Sequence, residues 1–389
     1  MINRRKKILQ PPAQIGIIGG GQLGRMLTMA AKRMGYHVTI LDPTPASPAG
    51  QVADNQIIAS FSDQNAIRRL AELTDVVTYE FEHIDADILC CLESEGYSVY
   101  PSGKTLKKIQ DKYKQKSLLK SVGLPVPAFS KVKSKEDIIQ KFEEFGNALV
   151  LKTCSGGYDG KGNVIIRDKK DIETVYNTLK KNELMVEQFV EFTCELSIIA
   201  ARGFDGEIVY YPVVENIHKN SILNLTRVPA SIDNDIETEI KNIAKKVLEV
   251  LEDVGVFCIE MFLNSDGKIY INEIAPRPHN SGHYTIEGCV TSQFEQLIRI
   301  ITGMPLGPAK LISPCAMVNI LGNDMVQGKY TFEGIESVLA EEGCYLHLYG
   351  KHSTDELKKI GHITVLDDSL KKAEEKALKA LENIKIKPL

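Results

Sequence analysis

Glu260 lies in F-C-I-E-M-F and Glu273 in K-I-Y-I-N-E-I-A, two alternating apolar segments joined by Asn264-Ser265-Asp266-Gly267. That pattern predicts a β-hairpin with one carboxylate on each strand. Neighbouring carboxylates repel unless a cation sits between them. A hard divalent ion carried with phosphates satisfies such a pair. Solvated or ion-paired glutamates are the competing reading of the same spacing. Arg277, His279, Asn280 and His283 follow the second strand at once, and a plain surface hairpin gives no reason for that concentration.

A second group of residues suits phosphates. Ala148–Lys152 ends an apolar strand in a lysine, and Cys154–Asn163 follows with Gly156, Gly157, Gly160 and Gly162 before V-I-I resumes. A buried lysine is costly without an anionic partner, and a loop with four glycines can present backbone N–H groups to phosphate oxygens. The terminal G-K-[ST] of a Walker loop is absent, so the segment reads as a flap between antiparallel strands. Leu184–Val190 reads as a strand whose backbone pairs with an adenine edge, with Glu187 or Glu195 taking ribose hydroxyls. Tyr210–His218 is read as one strand with polar residues at its end; a lone His218 is more readily structural than a ligand.

Around these groups the chain divides into three. Gln14–Ile18, the run Gly19-Gly-Gly-Gln22-Leu23-Gly24, a helix over Arg25–Met34 and a strand His37–Leu41 ending in Asp42 match a dinucleotide fingerprint with its ribose acid. The same glycines serve any crossover that places a phosphate at a helix N-terminus. A further βα unit, with a helix over Asp63–Leu73 and a strand over Asp75–Tyr79, ends in Glu80 and Glu82, candidates to meet a cation or an amine. One lysine-rich helix is expected from Thr105 to Lys120, broken by V-G-L-P-V-P at 122–127. Ile236 to Leu251 has helical apolar spacing, and a helix from Gln293 to Thr302 stops at Gly303. Strands over Ala316–Leu321, Cys344–Tyr349 and Ile363–Leu366 and a helix over Asp368–Leu381 make a small α+β unit. Lys351, Lys358, Lys359 and His362 form a cationic group expected near its strand ends.

At 389 residues the chain exceeds one usual hydrophobic core. The expected division is a Rossmann-like α/β domain over 1–110, a second over 111–310 and a small α+β domain over 311–389. A net charge of −4 gives no support to nucleic-acid binding, and no apolar run reaches membrane-spanning length. Met1-Ile-Asn-Arg-Arg-Lys-Lys lacks the apolar core of a secretory signal. Eight cysteines without C-x-x-C spacing, Cys258 and Cys289 among them in apolar segments, suit reduced thiols in the cytoplasm.

The order of these pieces resembles the ATP-grasp superfamily. G-G-G-Q-L-G-R-M, Y-E-F-E, K-x-x-x-G-G-Y-D-G-K-G, Y-P-x-x-E-N-x-H, N-E-I-A-P-R-P-H-N-S-G-H, S-Q-F and H-L-Y-G-K…G-H together resemble the N5-carboxyaminoimidazole ribonucleotide synthetases of purine biosynthesis, from about Gln14 to Leu366. The resemblance implies an ATP-grasp fold with ATP and magnesium (two ions, manganese a substitute), bicarbonate and 5-aminoimidazole ribonucleotide as substrates, a cytoplasmic homodimer, and coupling to the mutase that uses the product. Another ATP-grasp ligase, a formate-dependent transformylase, or a nucleotide-binding regulator impaired in catalysis are the alternatives.

By the same resemblance Lys112 and Lys152 meet the ATP phosphates, under a flap formed by Gly156, Gly157, Tyr158, Asp159, Gly160, Lys161, Gly162 and Asn163. Glu187, Gln188, Phe189 and Val190 form the adenine hinge, Glu195 is the ribose acid, and His218 and Asn272 are ATP neighbours. Glu260 and Glu273 hold the metal. Tyr158, Asp159, Arg277, His279 and Asn280 line the bicarbonate and ribonucleotide pocket, with Gln22, Leu23, Glu80 and Glu82 across from them. Lys351, Lys358 and Lys359 reach the ribonucleotide phosphate. Lys112 stands where the family usually has arginine, Cys154 and Asn163 replace other usual residues, and Thr354 and Lys358 lie where two arginines are usual, beside Asp355 and Glu356. Fewer rigid forks are then left for the substrate phosphate.

Overall fold

The computed structural model describes residues 8–146, 148–157 and 162–389. A parallel sheet in the order Asn55–Ile57, His37–Leu41, Gln14–Ile18, Val76–Tyr79 carries the first glycine turn, with helices Gln22–Arg33 and Gln64–Leu73. Asp63 caps the second of these helices by accepting from Ala66 N.

Among the described residues, an antiparallel sheet of four strands follows in the order Phe129–Val132, Leu184–Gln188, Leu149–Thr153, Asn163–Ile166. Helices Lys135–Glu144 and Ile172–Leu179 cover it; Ile138, Phe142 and Ile172 share its core with Leu149, Leu151 and Val186. The largest sheet runs Ile269–Ala275, Gly255–Leu263, Cys194–Arg202, Val214–Lys219, Ile222–Val228, Cys315–Leu321, Lys359–Leu366, Cys344–Leu348, with Ile208–Tyr210 on the side of Cys194–Arg202. Three C-terminal strands, Cys315–Leu321, Lys359–Leu366 and Cys344–Leu348, therefore extend the central sheet, while Tyr330–Glu333 and Lys385–Pro388 pair as a separate two-stranded ribbon.

Both faces of that sheet are covered. Ile240, Ile243, Val247 and Leu251 of helix Asn234–Leu251 pack on Ile198, Phe257 and Ile259. On another core, Leu297, Ile298 and Ile301 of helix Gln293–Ile301 join Ala201, Val256 and Cys258, together with Met26 and Leu27 of the first helix. This shared core seats the glycine-turn unit on the central sheet.

Four expectations need correction. The span Thr105–Lys120 is two helices, Gly103–Gln110 and Lys112–Ser121. Asp111 is extended and its carboxylate accepts from Lys114 N (3.0 Å), so an N-cap overrides the helical propensity of its neighbours. Tyr210–His218 is two strands, because the segment around Pro212 leaves the ladder between Tyr210 and Val214. The strand expected at Ile363 starts at Lys359, which leaves Lys359 at its end and puts fully buried His362 in its interior. The final helix is Leu370–Asn383, capped by Ser369.

Candidate active site

The hairpin forms as its pattern requires. Asn264 Oδ1 accepts from Asp266 N (3.0 Å) and Lys268 N (2.8 Å), and Gly267 takes φ +76° to close the turn. Glu260 and Glu273 are direct partners across the two strands. The register then slips: Met261 faces Ile271, leaving Asn272 as the extra residue of a bulge.

The two carboxylates differ in electrostatics. Lys112 Nζ lies 2.6 Å from Glu273 Oε2, and this ammonium holds Glu273 down to about 2. Burial and then the charge of Glu273 push Glu260 up to about 7. His279 Nε2 is 3.4 Å from Glu260 Oε1. Burial alone would lower Lys112, but Glu273 outweighs it and the ammonium is raised. Lys112 reaches this position because the helix restarts after Asp111, with Lys112 N donating to Cys154 O (2.7 Å).

Lys152 is buried in strand Leu149–Thr153; its Nζ donates to Glu187 Oε2 (2.9 Å) and to Asn272 Oδ1 (3.3 Å), the bulged residue. A third lysine, Lys116, completes the group. Its Nζ donates to Ile271 O (2.8 Å) and lies 3.4 Å from Glu187 Oε2. Burial pushes Lys116 down to about 8. Glu187 is lowered: burial would raise it, but Lys116 and Lys152 outweigh that. The side chain of Glu187 is thus the counter-ion of two lysines, which corrects its reading as a ribose acid. Glu195 keeps that option: its Oε2 is 3.1 Å from Nδ1 of His218. Gln188 is exposed beyond them, Val190 is partly buried, and Phe189 stacks under Arg167, 4.3 Å from ring centroid to guanidinium carbon.

Lys116 escaped the sequence reading because a single helix from Thr105 offered no reason to prefer one lysine. Its signal is the cap: counted from Asp111, Gln115, Lys116 and Leu119 fall on the buried face.

The flap is described only at its ends. Tyr158, Asp159, Gly160 and Lys161 lie outside the described residues. Gly156 and Gly162 have φ +82° and +86°, and a Cβ at Gly162 would meet Thr153 Oγ1 at 2.7 Å. Gly157 leads into the loop, and Asn163, opposite Lys152 in the ladder, buries an Oδ1 with no hydrogen-bond partner among the described residues.

The first glycine turn departs from a dinucleotide site. Glu80 is buried and its two oxygens accept from Gly21 N and Gly24 N, while Asp42 Oδ2 accepts from Gly20 N (2.8 Å). The donors that would cradle a pyrophosphate already hold carboxylates of the chain. A Cβ at Gly21 would meet Glu80 Oε1 at 2.7 Å, so a glycine is required by this internal anion. Burial raises Glu80 despite those backbone donors. The Leu23 side chain is a core residue, whereas Gln22 is partly exposed at the helix start.

The Arg277 guanidinium, expected at the bicarbonate pocket, grips Glu82 in this structure, Nη2 donating to Oε2 (3.0 Å) with Nε 2.9 Å from Oε1. Asn280 exchanges two hydrogen bonds with the buried amide of Asn319 (2.7 and 3.0 Å), so its carbonyl and one N–H are turned to the sheet. Lys358 Nζ donates to Ser353 Oγ (3.2 Å) and Lys351 lies over the Tyr349 ring (5.8 Å). Thr354 in the same segment is fully buried. The segment docks on the glycine-turn unit through Gln51 Nε2 to Gly350 O (2.7 Å) and His352 Nε2 near Ala46 O (2.9 Å).

The chain matches the models for a ribonucleotide synthetase preATP-grasp domain over residues 13–110, an ATP-grasp domain over 117–294 and a phosphoribosylaminoimidazole carboxylase C-terminal domain over 315–376. It is 45% identical to the N5-carboxyaminoimidazole ribonucleotide synthase of Bacillus subtilis, across 93% of both chains. The Thermotoga maritima synthetase superposes with a TM-score of 0.88 at 48% identity, covering 97% of this chain and 100% of the other. The Aspergillus clavatus synthase, solved with ADP and 5-aminoimidazole ribonucleotide, superposes with a TM-score of 0.88 at 34% identity, over 95% and 98% of the two chains. With identity this high over nearly its whole length, the chain belongs to the N5-carboxyaminoimidazole ribonucleotide synthase family of ATP-grasp ligases.

Proposed function

We propose that this chain joins bicarbonate to the exocyclic amine of 5-aminoimidazole ribonucleotide at the expense of ATP, giving N5-carboxyaminoimidazole ribonucleotide, ADP and phosphate. Family membership supports the reaction. The observation that carries the site is the Glu260–Glu273 pair facing each other across one hairpin, with Lys112 on one carboxylate and Lys152 on the neighbouring bulge.

Bicarbonate is a weak electrophile. A bicarbonate oxygen attacks the γ-phosphorus, the bond to the β-phosphate oxygen breaks, and ADP leaves carboxyphosphate behind. The amine then forms the C–N bond as the C–O bond to phosphate breaks; phosphate departs with that oxygen and takes up the proton the amine loses. Lys112 and Lys152 offset charge on the transferring phosphoryl oxygens. Arg277 already holds in Glu82 a planar two-oxygen anion of bicarbonate's shape, and exchange of partners brings bicarbonate beside His279. Residues 156–163 cover the phosphates and limit water. Glu195 and His218 hold the ribose, the 187–190 hinge the adenine, and Lys351, Lys358 and Lys359 the ribonucleotide phosphate.

The donor set fits magnesium. Glu260 and Glu273 are hard oxygen ligands, and Glu260 is raised by burial and then by the charge of Glu273. Among the described residues no group of three His, Cys, Asp or Glu side chains makes a closed cage, and an ion held by the two glutamates would take its remaining ligands from phosphate oxygens and water. Bound with the nucleotide, the ion supplies charge neutralisation at the transferred group. The resemblance further supports a cytoplasmic homodimer whose product passes to a mutase.

The test is ADP release with each substrate omitted. Full rate is expected only with bicarbonate and the aminoimidazole ribonucleotide together; a rate sustained by formate in place of bicarbonate would overturn the assignment.

A further inference from the structure

Behind the His279 imidazole runs a line of buried polar groups that the reaction above does not use. Ser281 Oγ lies 3.0 Å from His279 Nδ1. Ser197 Oγ donates to Ser281 Oγ (2.9 Å), Asn216 Nδ2 donates to Ser197 Oγ (2.8 Å), and Thr226 Oγ1 donates to Asn216 Oδ1 (3.0 Å). Ser197 and Thr226 are fully buried and Ser281 and Asn216 nearly so. Three strands, Cys194–Arg202, Val214–Lys219 and Ile222–Val228, and the turn Asn280–Gly282 each contribute. Hydroxyls and an amide at that depth are costly unless mutually satisfied, and their alignment on one ring nitrogen is the feature to explain.

Both ends of the line impose one direction. At the histidine end the backbone N–H of Ser281, which can only donate, points at Nδ1 (3.3 Å). Nδ1 is therefore an acceptor. At the far end the Asn216 amide donates to Ser197, whose single proton is left for Ser281; Ser281 then has its own proton for Nδ1. A neutral ring whose Nδ1 accepts carries its proton on Nε2, the nitrogen that faces Glu260 Oε1.

We infer that Ser197, Asn216 and Ser281 are positioning residues that hold His279 as its Nε2–H tautomer, so that a proton-bearing nitrogen faces the reacting carboxyl group. His279 then donates a hydrogen bond to a bicarbonate oxygen and is not an acceptor there. The inference rests on the proposed place of His279 beside bicarbonate.

The test is two-bond 15N–1H correlation on histidine-labelled protein, with steady-state kinetics of Ser197→Ala and Asn216→Asp. The parent should show the Nε2–H pattern for His279, assigned by its loss in His279→Gln. Asn216→Asp keeps the shape but replaces the donor by an acceptor, and Ser197→Ala removes the relay. Both should give a mixture of tautomers and lower kcat by about tenfold, with KM for ATP within twofold. Nδ1–H in the parent, or Ser197→Ala with unchanged tautomer and kcat, overturns the inference. The His279→Gln rate separates the two readings: a parental rate there removes the catalytic place of His279, while the tautomer patterns still decide the positioning claim.

Discussion

Replacing Lys116 by methionine sets two effects of similar size against each other. The fall of this lysine from the ordinary 10.5 to about 8, at about 1.4 kcal/mol per pH unit, amounts to about 3 kcal/mol of unfavourable charging near neutral pH. The unfolded chain binds the proton more tightly, so this cost is fully present below about pH 8 and is relieved as pH rises towards 10.5. Against it stands the charged hydrogen bond to the Ile271 carbonyl, worth about 1.5–3 kcal/mol. The two nearly cancel. Lys116→Met should therefore change urea-unfolding stability at pH 7.5 by less than about 2 kcal/mol, below the 3–5 kcal/mol typical of a broken, well-compensated buried pair. Between pH 8 and 10 the parent should gain on the variant by at least about 1 kcal/mol. Activity should separate from stability. Lys116 satisfies the carbonyl beside the Asn272 bulge and shares Glu187 with Lys152, so its loss lets Lys152 settle on Glu187 and turn from the phosphates. ADP formation should fall about tenfold or more. A stability loss above about 4 kcal/mol, or a parental rate of ADP formation, would refute this reasoning.

Three further outcomes follow from the same site. Glu273→Gln should retain the fold and reduce ADP formation below about a tenth of the parent at saturating magnesium, since it removes a ligand and the partner of Lys112; steady-state rates decide it. Glu260 is held up to about 7, and the ion takes the ionised carboxylate. Magnesium affinity in the nucleotide complex should therefore fall about tenfold per unit below that pH and level off above it; a requirement flat from about pH 5.5 to 8 would contradict it. Lys358→Ala should raise KM for the ribonucleotide by about tenfold with little change in kcat or KM for ATP. Lys358 is partly exposed beside Ser353 and Asp355, so a KM within twofold at low and moderate salt would mark it as a solvated lysine.

The hairpin was legible because alternation, the turn residues Asn264 to Gly267 and two carboxylates are local signals, and Glu260 does face Glu273. Lys152 was legible because a lysine closing an apolar strand needs an anion. What escaped was set by distant partners. Glu187 looked like a ligand acid, yet Lys116 and Lys152 approach it from another helix and another strand. The first glycine run matched a dinucleotide motif because a phosphate and the Glu80 carboxylate ask the same thing of a helix N-terminus: short side chains and free N–H groups. Nothing near Gly21 in sequence reveals that an acid fifty-nine residues later fills the turn. The line behind His279 was likewise invisible, since Ser197, Asn216 and Ser281 meet only after three strands pair. The small final unit was recognisable by its strands, but their joining to the central sheet depends on the pairing of Ile222–Val228 with Cys315–Leu321.

The central claim is that ATP activates bicarbonate before carbon reaches the amine. Bicarbonate labelled with 18O in all positions, supplied with ATP and the aminoimidazole ribonucleotide, tests it directly by mass analysis of the released phosphate. One 18O atom per phosphate is expected, because the attacking bicarbonate oxygen stays on phosphorus when the C–O bond breaks. Phosphate free of label, with carboxylated product formed at the normal rate, would contradict the account.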